Sequence, residues 1–168
     1  MRCFGVSAWY DAEASYQALT PKQRTFYGDD LLANTTELDS RIQAGLEYPI
    51  DAIANGSRGL LEEVALGKIT GEEEIWSHTD LWDFQANLEG AKVAYEGVRD
   101  IVETKDPELV TTLDEQFAEL QTTLAEYGTL DSGFVYYDEL TPDQVKQLAD
   151  GVSALGEPLS QLTAVLVS

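Results

Sequence analysis

Residues Thr141–Leu166 read TPDQVKQLADGVSALGEPLSQLTAVL, and their spacing decides the fold class. Thr141-Pro142-Asp143-Gln144 supplies an N-cap, a proline at the first helical position and a capping-box partner. Val145, Leu148, Val152, Leu155, Leu159, Leu162 and Leu166 then recur at alternating threes and fours. That period lays one apolar stripe along one face of a helix, close to the seam of a bundle. Pro158 interrupts the stripe, removes one backbone hydrogen bond and is expected to kink or break the helix near Leu155.

The same logic extends outward. Asp106-Pro107 opens a helix with the stripe Val110, Leu113, Phe117, Leu120, Leu124 and Tyr127, and Gly128 is its natural stop. Ser77 as cap and Asp80 as box partner start another, with Leu81, Phe84, Leu88, Ala91, Tyr95, Val98 and Val102 facing one way. An earlier helix runs from about Ile50 to Leu66 through Ile53, Leu60, Leu61 and Val64, closed by Gly67. A first long helix is expected from about Asp29 to Leu46, with Leu31, Thr35, Leu38, Ile42 and Gly45 on its inner side, ended by Tyr48-Pro49. Gly133–Tyr137 (GFVYY) is the one β-like patch, in a linker between helices. Short connections between long amphipathic helices imply antiparallel neighbours. The expected fold is therefore all-α, an up-and-down antiparallel bundle of four to five long helices. Residues 1–20 form a poorly defined N-terminal segment: Phe4, Val6, Trp9, Tyr10, Ala14 and Tyr16 suit a helix fragment, but no cap fixes it. Residues 21–168 are assigned to the bundle domain.

Composition narrows the function. A chain of 168 residues suits one domain, and 43% hydrophobic residues suffice for a core. Lysine plus arginine number 10 against 31 aspartate plus glutamate, for a formal charge of −21. That field repels nucleic acid and anionic lipid. It reads either as a solvated acidic surface or as an attractor of cations. The lone Cys3 excludes an internal disulfide framework and a cysteine-rich zinc site. No apolar run approaches the length that spans a bilayer, so direct membrane insertion is not expected. The first twenty residues lack the charged-then-apolar layout of a signal peptide, so the expectation is a soluble chain with no export address of its own.

The densest polar constellation is Glu72-Glu73-Glu74-Ile75-Trp76-Ser77-His78-Thr79-Asp80-Leu81-Trp82-Asp83, at the mouth of a helix. It holds the single histidine, five carboxylates and two tryptophans. Asp80 and Asp83 stand three apart, and Asp83 and Asn87 four apart, so these side chains can share a face. Oxygen donors with one imidazole suit a hard or borderline divalent cation such as iron, manganese, calcium or zinc. A purely structural reading stands beside this one. The capping box alone explains Asp80, the helix dipole favours Glu72 to Glu74 near an N-terminus, and Trp76 and Trp82 read as packing residues. Enzyme templates fail: Ser77 beside His78 lacks nucleophile-elbow glycines, and there is neither a glycine-rich phosphate loop nor an H-E-x-x-H motif.

Several stretches carry a family resemblance. Gly59–Val98, with GEEEIWSHTDLWDFQAN at Gly71–Asn87, resembles the C-terminal half of the EfeO/EfeM family of imelysin-like proteins, extracytoplasmic components of bacterial iron-uptake systems. The resemblance continues through KDPEL (Lys105–Leu109) and GFVYYDELTPDQVKQL (Gly133–Leu148), and YGDDLLANTTELDSRI (Tyr27–Ile42) is similar to the family helix with D-x-L-x-x-D spacing. It implies an all-helical fold and a non-catalytic role: binding iron, or zinc, manganese, calcium or copper in its place, and delivering it to a membrane permease on the periplasmic or outer side of the membrane. It also implies metal ligands at Asp29, Glu73, Glu74, His78, Asp80 and Asp83.

The departures matter as much. The family signature H-x-x-E is absent; His78 is followed by Thr79, Asp80 and Leu81, and residues 1–20 offer Trp9, Asp11 and Glu13 where that helix should lie. Asn34 stands where the second acid of D-x-L-x-x-D is usual. Each lost ligand weakens a site, so the expectation is a truncated form with a degenerate site. Missing helices would also expose an apolar face suited to dimerisation. The alternative is a helical scaffold that docks on a permease or partner subunit and holds no metal of its own.

Overall fold

Thr-Pro-x-Gln occurs twice, at residues 20–23 and 141–144, and each copy starts a helix. In each, the threonine hydroxyl accepts the backbone N–H of the glutamine while the glutamine carbonyl accepts the N–H of the threonine, at 3.0 Å for Thr20 and 2.8 Å for Thr141. Two of the amides that every helix start leaves unpaired are thereby satisfied.

The computed structural model describes residues 18–168, and the chain divides into two compact units after Glu47. The expected fragment over Phe4–Tyr16, with Trp9, Asp11 and Glu13, lies outside the described residues, as does Cys3. The described part of the first unit is helix α1 (Pro21–Gln43), ended where Gly45 turns with φ of +92°. It begins at Pro21 rather than near Asp29, because the Thr20–Gln23 box nucleates it earlier. Its expected inner side is corrected too. No residue of α1 is buried, and Leu31, Leu38 and Ile42 are exposed.

The second unit is the bundle. It comprises α2 (Ile50–Glu63), a π-turn (Val64–Lys68), α3 (Asp80–Glu96), α4 (Arg99–Lys105), α5 (Pro107–Ala125), α6 (Pro142–Leu159) and α7 (Leu162–Val167). Between α5 and α6 lie two-residue strands, β1 (Gly128–Thr129) and β2 (Gly133–Phe134), paired antiparallel, then a 3₁₀ turn at Tyr137–Glu139. Within GFVYY only Gly133–Phe134 is strand; Val135 and Tyr136 are irregular, and Tyr137 opens the 3₁₀ turn. The stripe expected from Leu81 to Val102 is buried throughout, as is that from Val110 to Tyr127. Gly97 breaks the first of these into α3 and α4 without turning Val98 or Val102 outward. Pro158 does not end its helix near Leu155. The helix continues to Leu159, since proline lacks only its own N–H and its ring is buried in the core, and the break falls before Leu162.

Small side chains let α2 lie against α3. Buried Ser57 donates its hydroxyl to the carbonyl of Ala91 at 2.7 Å, next to buried Ala54. A Cβ on Gly90 would stand 3.0 Å from Leu60 Cδ1, and one on Gly151 in α6 would stand 2.8 Å from Leu120 Cδ1 of α5. Polar ties are few and specific. Gln85 of α3 and Gln121 of α5 exchange amide hydrogen bonds at 3.1 and 2.9 Å. Buried Tyr95 donates to Asp114 at 2.9 Å, which Arg99 also grips at 2.7 Å; the guanidinium holds the Asp114 carboxyl below its usual range.

Two substitutions test this account. Leu113→Ala should cost about 2–5 kcal/mol, the range for a buried leucine that leaves a cavity. Thr141→Ala should cost about 1 kcal/mol through the lost cap. Both are read from urea denaturation midpoints, and equal effects would contradict the assignment of Leu113 to the core.

Candidate functional site

The π-turn that follows α2 sets the site. Ile69 donates to the Val64 carbonyl at 2.9 Å, the i+5 bond of a π-turn, and Lys68 stays on the buried side with Val64. Lys68 is 6% exposed and pairs with Glu73, whose side chain remains 43% exposed. Gly67 makes room for the pair, because a Cβ there would lie 2.8 Å from Glu73 Oε2.

The loop from 69 to 79 is pinned from outside by Tyr137. Its hydroxyl donates to the Ile69 carbonyl and its N–H to the His78 carbonyl at 2.9 Å. Gly71, at φ of +67°, sits beneath that ring, and any side chain there would overlap it. His78 adopts φ of +56° and donates its N–H to the Glu74 carbonyl at 2.7 Å. Histidine tolerates this left-handed backbone better than most residues do.

Asp80 opens α3, but not as expected. The N-cap is Thr79, with no side-chain cap bond, and Ser77 instead bonds the Glu74 carboxylate and the Thr79 hydroxyl. The left-handed turn at His78 separates Ser77 from the helix start, which is why the Ser77–Asp80 box does not form. Asp80 reaches backward: its Oδ1 accepts the Glu74 N–H at 3.3 Å. The residue is 0% exposed, and its Oδ2 has no hydrogen-bond partner.

Burial raises the Asp80 carboxyl above its ordinary value of 3.8; backbone amides oppose this, and the charges of Glu74 and Glu73 add to it. Asp83, one turn on and half-buried, is raised chiefly by burial; Lys68 opposes, while Glu74, Glu73 and Asp80 push further. The charges of Glu73 and Glu74 thus act on both Asp80 and Asp83, and Lys68 opposes them at Asp83. Half-buried His78 lies on the same loop. Asp29 is exposed on α1, in the first unit. Among the described residues, no three His, Cys, Asp or Glu side chains stand poised to hold a metal ion.

Sequence reasoning missed Lys68 and Tyr137. The signal for Lys68 was its place four residues after Val64, where the buried stripe of α2 continues. Trp82 packs edge-on to Phe134 at 5.3 Å, as expected of a packing residue, whereas Trp76 is 66% exposed.

The imelysin family model, peptidase M75, matches residues 8–162. This chain belongs to the imelysin family. It is 42% identical over 147 residues to the protein named iron uptake system component EfeO in Escherichia coli K12, in Escherichia coli O157:H7 and in Shigella flexneri. The alignment covers 88% of this chain and 39% of each relative, so the chain spans about two fifths of the length of the curated relatives it matches. The resemblance read from Gly71–Asn87 therefore stands, as does the helical fold it implied. The relatives' names describe an uptake component rather than a hydrolase, and the Ser77 hydroxyl is engaged by Glu74.

A carboxyl whose folded pKa is raised stabilises the fold when protonated, and that contribution is lost as pH rises through the folded value. Asp80→Asn keeps the acceptor for Glu74 and removes the charge that burial disfavours. It should raise the melting temperature at neutral pH, with the gain shrinking as pH falls toward 3.8. A loss of stability at neutral pH would show that the charge of Asp80 is compensated.

Proposed function

We propose that this chain is the metal-capturing portion of an iron-uptake component that works outside the cytoplasmic membrane, on the periplasmic side or at the cell surface. It passes iron to a membrane permease and catalyses no reaction. One observation carries the reading: a fully buried aspartate, Asp80, keeps a partnerless oxygen while the charges of Glu74 and Glu73 act on it. A dry carboxylate of this kind is stabilised by a proton or a cation, and anionic oxygens favour hard and borderline cations. Kinship with the EfeO proteins makes iron the first cargo to test, ahead of zinc, manganese, calcium or copper.

Asp80 and Asp83 are the fixed ligands, held by the first turn of α3. Glu73 and Glu74 are ligands on the loop that must first leave Lys68 and Ser77. His78 offers an imidazole on the same loop.

Thermal melts with anaerobic ferrous iron, and with manganese as an air-stable stand-in, test this directly. Binding to the folded state alone stabilises by about 2.7 kcal/mol at a hundredfold excess over Kd. Asp83→Ala and His78→Ala should each reduce the shift while leaving the ion-free melt near wild type; unchanged affinity in both would overturn the reading.

A second reading rests on α1, where Phe26, Leu31, Leu32, Leu38 and Ile42 are all exposed. Apolar exposure on this scale suits a helical module that docks on a partner subunit, a permease or a second copy, without metal. It predicts a dimer by light scattering and no ion-dependent stabilisation.

A further inference from the structure

We propose that α1 pairs antiparallel with α1 of a second copy of this chain, through the face that carries Leu31, Thr35, Leu38 and Ile42. The proposal rests on the second reading above and deepens it, by naming the partner and its orientation.

The face suits another helix. Its four residues stand four, three and four apart, the spacing of a coiled-coil seam. Leu31, Leu38 and Ile42 are each at least half exposed, and no residue of α1 is buried. The polar member of the row is already satisfied. The Thr35 hydroxyl donates to the Leu31 carbonyl at 2.9 Å, so enclosing it in a seam strands no donor. Beside it, the Asn34 side-chain amide donates to the Asp30 carbonyl at 2.9 Å.

The order of residues makes this face complementary to itself when reversed. An antiparallel copy sets Leu31 against Ile42 and Thr35 against Leu38, and a two-fold axis repeats both contacts. Charge selects the same sense. At helical spacing Asp30 and Arg41 lie on one flank of the row, and reversal brings Asp30 of each copy beside Arg41 of the other. Arg41 already pairs with Glu37 of its own helix at 2.8 Å, which holds the guanidinium toward that flank. A parallel pair would instead set Asp30 beside Asp30 and Arg41 beside Arg41, and would align the two helix dipoles. The charge of −21 on each chain opposes association, so the seam acts against a repulsion that salt screens.

The test is sedimentation equilibrium of the full chain over a range of concentrations at physiological salt. Wild type should show a reversible monomer–dimer equilibrium. Leu38→Lys, which removes one leucine from each side of the seam, should raise the dimer Kd about a hundredfold or more. Val93→Lys, at an exposed apolar position of α3, should leave it unchanged. Far-ultraviolet circular dichroism checks that both variants fold. Orientation is read by oxidising an equimolar mixture of Leu31→Cys and Ile42→Cys chains, each also carrying Cys3→Ser. A mixed disulfide should form, and neither variant should cross-link with itself. A dimer that Leu38→Lys does not weaken overturns the proposal. A dimer that cross-links through Leu31→Cys alone overturns the antiparallel pairing and leaves the docking role of α1 standing. A wild type that stays monomeric at every concentration overturns both.

Discussion

Helix α3 is dry along one face from Leu81 to Tyr95, and the rest of the second unit is arranged around that face. Leu81, Phe84, Leu88, Ala91 and Tyr95 are at most 1% exposed. Burial of so many large side chains in one row is the main favourable term available to a helix of this length. It fixes the helix along its axis, and with it the first turn. Asp80 precedes Leu81 directly, so it is taken out of water by the same packing. The site is a by-product of where the core ends.

That placement has an electrostatic consequence. A carboxylate brought into a dry place must find donors, a counter-charge or a proton. Asp80 accepts the amide of Glu74, on a loop that itself carries more carboxylates. The nearby positive charge is a lysine from the preceding π-turn, and it is bonded to Glu73 rather than to Asp80. The fold thus tolerates an uncompensated group beneath a loop that Tyr137 fastens down. Stability is given up locally while the core around Phe84 and Leu88 keeps the unit folded.

The bundle was legible because its signals are periodic and local. The stripes through Leu113, Leu124, Leu148 and Leu155 repeat at helical spacing, and each of these residues is buried. The capping box at Thr141 is a four-residue pattern with one geometric solution, and the identical device at Thr20 was equally readable. α1 was harder. Leu31 and Leu38 obey the period, but the period says only that a face is apolar and not that anything covers it. The site was half legible. Carboxylate density pointed to residues 72–83, yet the role of Ser77 depended on one left-handed residue, His78, that no spacing rule reveals. Lys68 and Tyr137 reach the loop from elsewhere in the chain, so their contributions are tertiary and leave only faint marks in sequence.

The contact between Gly71 and the Tyr137 ring has a consequence for how this family can change over time. The two residues come from distant stretches of chain, yet neither is free to vary alone. Any side chain at 71 meets both a positive φ and an aromatic wall, so the position is closed while 137 is aromatic. Losing the ring instead would release Ile69 and leave the loop that presents the acidic residues held here by the backbone bond from Tyr137 to His78. Drift in this corner must therefore proceed by paired replacement. Among related chains, a residue other than glycine at 71 should be accompanied by a small residue at 137 and a differently anchored loop.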